Sequence, residues 1–181
     1  MDIFLETDRL TLRRFTEADE DDLFDLNNDP EVMRFITNGE ATPRAEIRDS
    51  ILPFHFRCYE QFEGFGTWAA VEKASGQFLG WFHFRPRRDD GAIELGYRLR
   101  RSAWGNGYAT EGSRALVDKG FTEFGVDRVV AETMSANQAS RRVLEKSGLS
   151  PVRTFAYDEP HIMKGSAVEY ALTRTDWAAR R

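Results

Sequence analysis

The chain contains a single cysteine, Cys58, among its 181 residues. One cysteine cannot form an intramolecular disulfide, and there is no second thiol to complete a cysteine-based metal site. This scarcity excludes disulfide-stapled secreted domains and zinc sites built on cysteine pairs. We expect Cys58 to be a buried or half-buried thiol in a protein of a reducing compartment.

The chain also lacks long apolar runs and an excess of basic charge. The N-terminal segment has no apolar signal core and no window approaches a membrane span, which predicts a cytoplasmic protein without a membrane partner. The net charge of −5 argues against nucleic acid as the main partner, because phosphate binding needs a basic surface. The run from Arg85 to Arg88 is a local exception. We interpret it as a solvated hairpin turn, with an anionic ligand as the alternative.

Histidines are few as well, and His55, His83 and His161 are too scattered to form a metal site. No metal is therefore expected. Each histidine is interpreted as structural. For His83, a position facing a bound acceptor is the alternative.

What the chain does contain is a regular succession of strand and helix patterns. Apolar alternation predicts six or seven strands, within residues 9–15, 66–72, 77–84, 92–99, 128–134, 150–157 and 166–173. Helices are predicted from the Thr16 cap to residue 27, over 44–62 with a break at Pro53, over 110–124 and over 138–147. Short turns between the middle strands predict an antiparallel meander. We therefore expect one mixed α/β domain over residues 1–181.

The stretch WGNGYATE, residues 104–111, places Gly105 and Gly107 between a predicted strand and a predicted helix. Helix N-termini carry free N–H groups and positive potential, and glycine lets a phosphate approach the backbone. A Walker loop is excluded because the chain has no GxxxxGK[ST] run. A dinucleotide fingerprint fits poorly, because Thr110 occupies its third glycine position. The pyrophosphate of coenzyme A is the third interpretation, and a tight turn without a ligand is the alternative.

The longer run WGNGYATEG resembles the acyl-CoA pyrophosphate loop, Q/R-x-x-G-x-G/A, of the GNAT N-acetyltransferase superfamily. Four further segments resemble its RimJ/RimL-like branch, in the family's order: TDRLTLR (7–13), DPEVM (29–33), ELGY (94–97) and NQASRRVLEKSGL (137–149). Trp104 departs from the Gln or Arg of the consensus and cannot supply the usual polar contact. The backbone N–H groups that would hold a pyrophosphate are unaffected by that departure.

This resemblance implies a mixed α/β GNAT fold, in which a mostly antiparallel sheet is splayed in the middle and flanked by about four helices. It implies acetyl-CoA as cosubstrate and direct transfer of the acetyl group to an amine, without an acyl-enzyme. The residues that it assigns to cofactor binding are Tyr97, Leu99, Trp104, Gly105, Asn106, Gly107, Tyr108, Ala109, Thr110, Asn137 and Ser140.

Three residues are candidates for the chemistry. Glu94 is the candidate general base, because an alkylammonium with a pKa of about 10 must lose a proton before it attacks. An exposed structural carboxylate is the alternative, and Glu132 and Glu169 are weaker candidates of the same kind. Asn137 and Ser140 can face one ligand from the start of a helix, where the resemblance has Ser140 hydrogen-bond the leaving thiolate. A plain N-cap is the alternative for Asn137.

The acceptor is expected to be a protein N-terminus or a small-molecule amine, and the acidic balance of the chain favours a cationic one. Homodimers are common in the superfamily, but no motif here specifies a homodimer. Two other classes stay open. One is a catalytically silent acyl-CoA-binding protein that acts as a sensor or partner, and the other is a nucleotide-binding module without thioester chemistry.

Overall fold

The computed structural model describes residues 2–87, 90–157 and 164–180. Their backbone forms one eight-stranded sheet with strand order β1-β2-β3-β4-β5-β6-β8-β7. The strands are β1 (Ile3–Glu6), β2 (Leu10–Arg14), β3 (Gly66–Glu72), β4 (Phe78–Pro86), β5 (Ile93–Leu99), β6 (Arg128–Met134), β7 (Ser150–Tyr157) and β8 (Gly165–Thr173). Seven of these strands were predicted, and β1 was not.

The helices fall into an early group and a late group. Their bounds are α1 (Glu20–Asn27), α2 (Pro30–Met33), α3 (Arg44–Glu46), α4 (Leu52–Gln61), α5 (Tyr108–Thr122), α6 (Gln138–Lys146) and α7 (Arg174–Ala178). In the described part of the chain, no helix combines the length and the apolar character needed to cross a membrane.

Strands β3 to β5 form the predicted antiparallel meander, and β2 pairs antiparallel with β3 at its edge. Strand β6 then joins β5 in parallel, and β8 returns antiparallel beside β6. A mixed sheet follows because α5 carries the chain from the end of β5 back to its start, as a parallel connection requires. This parallel junction lies in the middle of the sheet.

The predicted break at Pro53 is confirmed: a π-helical turn separates two α-helices just before this proline. The chain passes from α3 through a π-helical turn, Ile47–Ile51, into α4, which has Pro53 in its first turn. Proline has no N–H to donate there, and a π-bulge is a common way to accommodate such an interruption. Pro43 precedes the first helical residue of α3.

The two faces of the central strands are covered by different helices. On one face, which we call the α5 face, the rings of Phe82 and Phe84 pack against α5. A Cβ added at Gly112 or Gly120 would lie 2.4 Å from Phe82 or 2.6 Å from Phe84, so these two glycines permit the close packing. Because side chains alternate along a strand, the neighbouring residues of β4 and β5 point to the opposite face.

We call this opposite side the α4 face, because α1 and α4 cover it. The guanidinium of Arg85 lies 5.5 Å from the Phe54 ring of α4, and Arg98 bonds to Asn27 at the end of α1. Cys58 of α4 is buried, as expected, and burial raises the pKa of its thiol. The α4 face therefore combines an apolar cover with charged strand residues.

Candidate active site

A cleft opens where β5 and β6 separate. Both strands are described in full, and they pair at two positions, Ile93 with Val129 and Glu94 with Val130. Beyond these pairs β6 continues along β8 as far as Met134, while β5 continues along β4 to Leu99. The predicted splay in the middle of the sheet is therefore confirmed, and it begins after Glu94.

Backbone groups of β5 line this cleft. The N–H of Arg100 donates to the carbonyl of Leu79 at 2.8 Å, towards β4. Successive residues of a strand direct their backbone groups to opposite sides, so those of Leu99 and Tyr97 point into the cleft. The carbonyl of Leu99 also accepts a hydrogen bond from Trp104 Nε1 at 2.8 Å. The indole thus fixes the end of β5, although it stands where the family consensus has Gln or Arg.

The loop after β5 leads to the N-terminus of α5. Gly105 and Gly107 adopt φ angles of +76° and +84°, which L residues other than glycine rarely adopt. The first intrahelical bond runs from the N–H of Glu111 to the carbonyl of Gly107 at 3.0 Å. Helix α5 begins at Tyr108, two residues earlier than predicted. The N–H groups of residues 108–110 therefore form its first turn, where backbone donors have no helical acceptor.

Side chains of the loop and of its neighbours hold the loop in place. Asn106 Nδ2 donates to the carbonyls of Ser102 at 3.3 Å and Trp104 at 3.2 Å. The guanidinium of Arg9 lies 4.4 Å from the Tyr108 ring centroid and donates to the Asn106 carbonyl at 3.0 Å. The Tyr108 hydroxyl donates to Glu72 of β3. These contacts fix the conformation of the loop, and the cationic guanidinium of Arg9 lies beside it.

Glu111 ties the loop to the turn between β1 and β2. Its carboxylate accepts hydrogen bonds from the Thr7 hydroxyl at 2.6 Å, the Arg9 N–H at 2.9 Å and Arg9 Nε at 2.7 Å. Burial alone would raise the pKa of Glu111, but these donors outweigh it, and the pKa lies below its usual value. The carboxylate is therefore ionised and structurally engaged at neutral pH.

The start of α6 closes the other side of the cleft. Asn137 caps this helix, because its Oδ1 accepts from the Ser140 N–H at 3.2 Å. The Tyr97 hydroxyl reaches across from β5, 3.0 Å from Ser140 Oγ and 3.2 Å from the Ser140 carbonyl. Burial raises the pKa of the Tyr97 hydroxyl, so it stays protonated. The structure thus brings the hydroxyls of Tyr97 and Ser140 together, whereas the side-chain oxygen of Asn137 is engaged in capping α6.

Glu94 lies on the α4 face, at the point where β5 and β6 diverge. Its Oε2 is 3.4 Å from Arg85 Nη2 and 3.5 Å from His83 Nε2. The imidazole of His83 covers Gly96, where an added Cβ would lie 2.5 Å from Nε2. Burial lowers the pKa of His83 well below its usual value, and the charge of Arg85 acts in the same direction. The imidazole beside Glu94 is therefore neutral at pH 7.

Glu132 and Glu169 face each other across β6 and β8 on the same face. Arg87 Nη1 lies between them, 3.4 Å from Glu132 Oε1 and 3.0 Å from Glu169 Oε2. Burial raises the pKa of Glu132, and the charge of Glu94 adds to the effect. Glu132 is thus a second half-buried carboxylate close to the cleft.

Glu169 differs, because three arginines surround its buried carboxylate. Arg87 and Arg153 each lie 3.0 Å from Oε2, and Arg128 lies 3.4 Å from Oε1. Burial would raise the pKa of Glu169, but the hydrogen bonds from Arg87 and Arg153 outweigh it and the pKa is lowered. Contacts with three arginines engage both oxygens of this carboxylate, which argues for a structural role.

The expectation of a solvated basic turn is wrong for Arg85 and Arg87. Their side chains are 31% and 19% exposed. Arg85 pairs with Glu94 of β5, and Arg87 pairs with Asp90 of the same turn and with Glu132 and Glu169 across the sheet. The carboxylates of β5, β6 and β8, together with Asp90, therefore hold both arginines against the sheet. Arg88 lies outside the described residues.

Replacing Glu169 with glutamine should lower the free energy of unfolding by about 2 kcal/mol, because a buried carboxylate shared by arginines is lost. The melting temperature should fall by roughly 4–8 °C at pH 7. Since the folded pKa is lowered, this stabilisation is present above the unfolded pKa of about 4.3 and is lost at more acid pH. The difference between the variant and the wild type should therefore shrink on acidification.

A matched control is Glu123→Gln, because Glu123 is 55% exposed and pairs with Lys119 on the surface of α5. Such a pair contributes at most about 1 kcal/mol. Calorimetry at neutral and acid pH measures both variants. Equal melting temperatures for the two variants at pH 7 would contradict the structural role of Glu169.

The remaining histidines give no metal site. His55 is buried, its ring centroid lies 5.0 Å from that of Phe15, and burial lowers its pKa to about 4. His161 lies outside the described residues. Within the described ranges, no three His, Cys, Asp or Glu side chains are grouped so as to hold a metal ion.

The splayed sheet and the glycine loop can be compared with known proteins. Residues 9–150 match the family described as "Acetyltransferase (GNAT) domain". The chain belongs to the GNAT acetyltransferase family. It is therefore an N-acetyltransferase by family, and the predicted fold and enzyme class are confirmed.

Three related proteins can be aligned with this GNAT protein over nearly its whole length. The FsC-acetyl coenzyme A-N(2)-transacetylase of Aspergillus fumigatus is 36% identical over 96% of this chain and 77% of its own. An acetyltransferase structure from Bacillus anthracis superposes with a TM-score of 0.78, at 22% identity, covering 97% of this chain and 99% of its own. RimL, a ribosomal L7/L12 α-N-protein acetyltransferase solved with coenzyme A, gives a TM-score of 0.80 at 18% identity, over 95% and 98% of the two chains. At these identities the two solved structures compare the fold alone.

Sequence reasoning missed two arginines of the site. Arg9 lies beside the glycine loop, and Arg98 lies on the α4 face of β5. No local pattern predicts the position of Arg9 beside the loop, because this position depends on the contact between the β1–β2 turn and α5. Arg98 does have a signal, since it follows Glu94 and Gly96 at a spacing of two and so shares their strand face.

Proposed function

We propose that this GNAT protein transfers the acetyl group of acetyl-CoA to a primary amine by direct attack in a ternary complex. One observation carries the proposal: β5 and β6 diverge after Glu94 beside the free N–H groups that begin α5. An extended pantetheine can add to the exposed edge of β5, using the backbone of Tyr97 and Leu99. The loop from Trp104 to Thr110 then receives the pyrophosphate, with the positive end of α5 behind it.

The chemistry is assigned to groups on either side of this cleft. Glu94 accepts the proton of the amine, directly or through water, on the α4 face. A backbone N–H of β5 stabilises the oxyanion that develops on the thioester carbonyl. The hydroxyl pair of Ser140 and Tyr97 lies on the α5 face, where it can hydrogen-bond the departing thiolate. Asn137 fixes Ser140 through the helix cap. Positioning of the two substrates supplies most of the rate.

The acceptor approaches from the α4 face, because the α5 face is filled by the core. The cover of this face comes from α1 and α4 of the early group, so these helices would contact the acceptor. The Aspergillus relative is named as an N(2)-transacetylase and RimL as an α-N-protein acetyltransferase. Both names support an amine acceptor, as a small molecule or a protein N-terminus.

Acetyl-CoA and CoA should stabilise the protein against thermal unfolding, whereas ATP and NAD at matched concentration should not. A ligand at about one hundred times its dissociation constant contributes roughly 2.7 kcal/mol. For a domain of this size, the melting temperature then rises by roughly 5–10 °C. Release of the CoA thiol in the presence of amines follows as the assay of transfer.

Two glycine variants test whether the loop binds the cofactor. Gly107→Ala and Gly76→Ala both place a side chain at a residue with positive φ. The added Cβ would lie 3.5 Å from Arg9 Nη2 in the first variant and in open space in the second. Both should therefore lose about 1 kcal/mol of stability. Only Gly107→Ala should also weaken the shift with acetyl-CoA. A full shift in Gly107→Ala would place the pyrophosphate elsewhere, and a shift with ATP alone would indicate the nucleotide-binding class.

A further inference from the structure

The α4 face of β5 carries a guanidinium whose charge no described carboxylate balances. Arg98 Nη1 donates to the amide oxygen of Asn27, and the guanidinium carbon lies 5.1 Å from the Trp81 ring centroid. Burial alone lowers the pKa of Arg98 to about 10, so the side chain remains cationic at pH 7. The neighbouring Arg85 and Arg87, in contrast, are paired with Glu94 and Glu169.

Unpartnered nitrogen atoms gather around this cation. Six buried side-chain nitrogen or oxygen atoms of the described residues have no hydrogen-bond partner, and three of them, Arg98 Nε, His83 Nε2 and His55 Nδ1, belong to this region. The nearest carboxylate oxygen to His83 Nε2 is that of Glu94, at 3.5 Å. His83 stacks on Trp81 with ring centroids 5.6 Å apart, on the same face as Arg98. Buried polar atoms are rarely left without partners, so three in one region indicate a polar ligand.

The charge of this region specifies the kind of ligand. Burial is the main reason why the pKa values of His55 and His83 are lowered. The positive charges of Arg85 and Arg98 lower both pKa values further. Positive charge therefore lies close to the two imidazoles, although Glu94, Glu132 and Glu169 share this face and pair with Arg85 and Arg87. This nearby positive charge and a free guanidinium edge favour an anion.

The geometry of the guanidinium favours a carboxylate. With Nη1 bonded to Asn27, the edge formed by Nε and Nη2 is the one that can accept a planar carboxylate through two parallel hydrogen bonds. Glu94, Gly96 and Arg98 are alternate residues of β5, with His83 over Gly96 between the two charges. An acceptor lying across His83 would therefore present its amine towards Glu94 and its anionic end towards Arg98.

We propose that the acceptor is an amine that also carries a carboxylate, namely an amino acid, and that Arg98 binds this carboxylate. The proposal rests on the acetyl transfer proposed above and specifies its substrate class. It replaces the expectation of a cationic acceptor with a zwitterionic one. A protein N-terminus that lacks a nearby carboxylate would be a poor substrate.

The test compares acetyl transfer to matched pairs of amines by thiol release. Each pair consists of an amino acid and its primary amide, and the series runs from α-amino acids to ω-amino acids of increasing chain length. We expect kcat/KM for the best acid to exceed that of its amide by about 10- to 100-fold, as a charge-assisted hydrogen bond predicts. In Arg98→Gln this ratio should fall to about one, and Arg98→Lys should restore part of it.

Arg48→Gln is the matched control, because Arg48 is 59% exposed and pairs with Asp49. This variant should keep the acid-to-amide ratio of the wild type. The thermal shift with acetyl-CoA shows whether Arg98→Gln is folded. If this variant is not folded, the acid-to-amide ratios of the wild type and of Arg98→Lys test the role of Arg98. Aminoalkyl phosphates form a further arm, and their preference over every amino acid would overturn the choice of carboxylate.

The two proposals fail in different ways. Thiol release with amides and acids at equal rates would overturn the role of Arg98 and leave acetyl transfer standing. A shift with acetyl-CoA but no thiol release with any amine of the series would instead overturn the proposed transfer and indicate the silent CoA-binding class.

Discussion

Replacing Glu94 with glutamine is expected to lower kcat for acetyl transfer by about 100-fold, within the usual range for loss of a general base. The acceptor amine is an ammonium ion at neutral pH, and only its deprotonated form attacks the thioester. Glutamine keeps the size of the side chain but cannot take the proton. Steady-state thiol release measures kcat, and the thermal shift with acetyl-CoA should remain that of the wild type, because Glu94 lies away from the glycine loop.

Glu132→Gln is the decisive comparison for this variant. Glu132 is 24% exposed, close to Glu94 in exposure, and its pKa is raised by burial and by the charge of Glu94. We expect less than a 10-fold loss of kcat, because Glu132 belongs to β6 and shares Arg87 with Glu169. A larger loss in Glu132→Gln than in Glu94→Gln would transfer the role of base to Glu132. The activity of Glu94→Gln should also recover as the pH approaches about 10, where the amine deprotonates without help.

Replacing Gly80 with alanine is expected to lower the free energy of unfolding by about 3 kcal/mol. Gly80 has a φ angle of +141°, and an added Cβ would lie 2.1 Å from the carbonyl oxygen of Arg98 and 2.8 Å from Leu99 Cα. Both atoms belong to the backbone of β5, so no side-chain rotation relieves the overlap. The strain of an unfavourable φ adds to the overpacking.

Equilibrium urea unfolding measures this loss, and Gly76→Ala is again the matched control. Gly76 also has a positive φ angle, of +72°, but open space surrounds its Cβ position, so its variant should lose only about 1 kcal/mol. Because the Gly80 variant displaces β5 at Arg98 and Leu99, it should also reduce the thermal shift with acetyl-CoA. Equal stability of the two variants would show that β5 can move away from β4 without cost.

The regular parts of the fold could be predicted from the sequence because each has a strong local pattern. The bounds of β3, β6 and β7 are as predicted, since alternation and turn residues frame all three strands. Strand β1 was missed because its four residues, IFLE, are too few to show a period. Helix α7 was missed for a similar reason, as five residues after a strand carry little helical signal.

The site was predictable where chemistry lies in consecutive residues and not where it depends on register. The spacing of Gly105 and Gly107 between a strand pattern and a helix pattern predicts their loop. Arg87 gives no such signal, because its partner Glu169 is brought to it only by the pairing of β6 with β8. The unbalanced charge of Arg98 is likewise invisible in the sequence, where acidic residues are abundant.

The hydrogen bonds of Glu111 have a consequence for how the molecule opens. Thr7 and Arg9, at the turn between β1 and β2, share the carboxylate that stands in the first turn of α5. We therefore expect the N-terminal hairpin and the glycine loop to open together, as one cooperative unit of local unfolding. A ligand bound at this loop should therefore increase the protection of the Arg9 amide, close to the N-terminus, against hydrogen exchange with solvent.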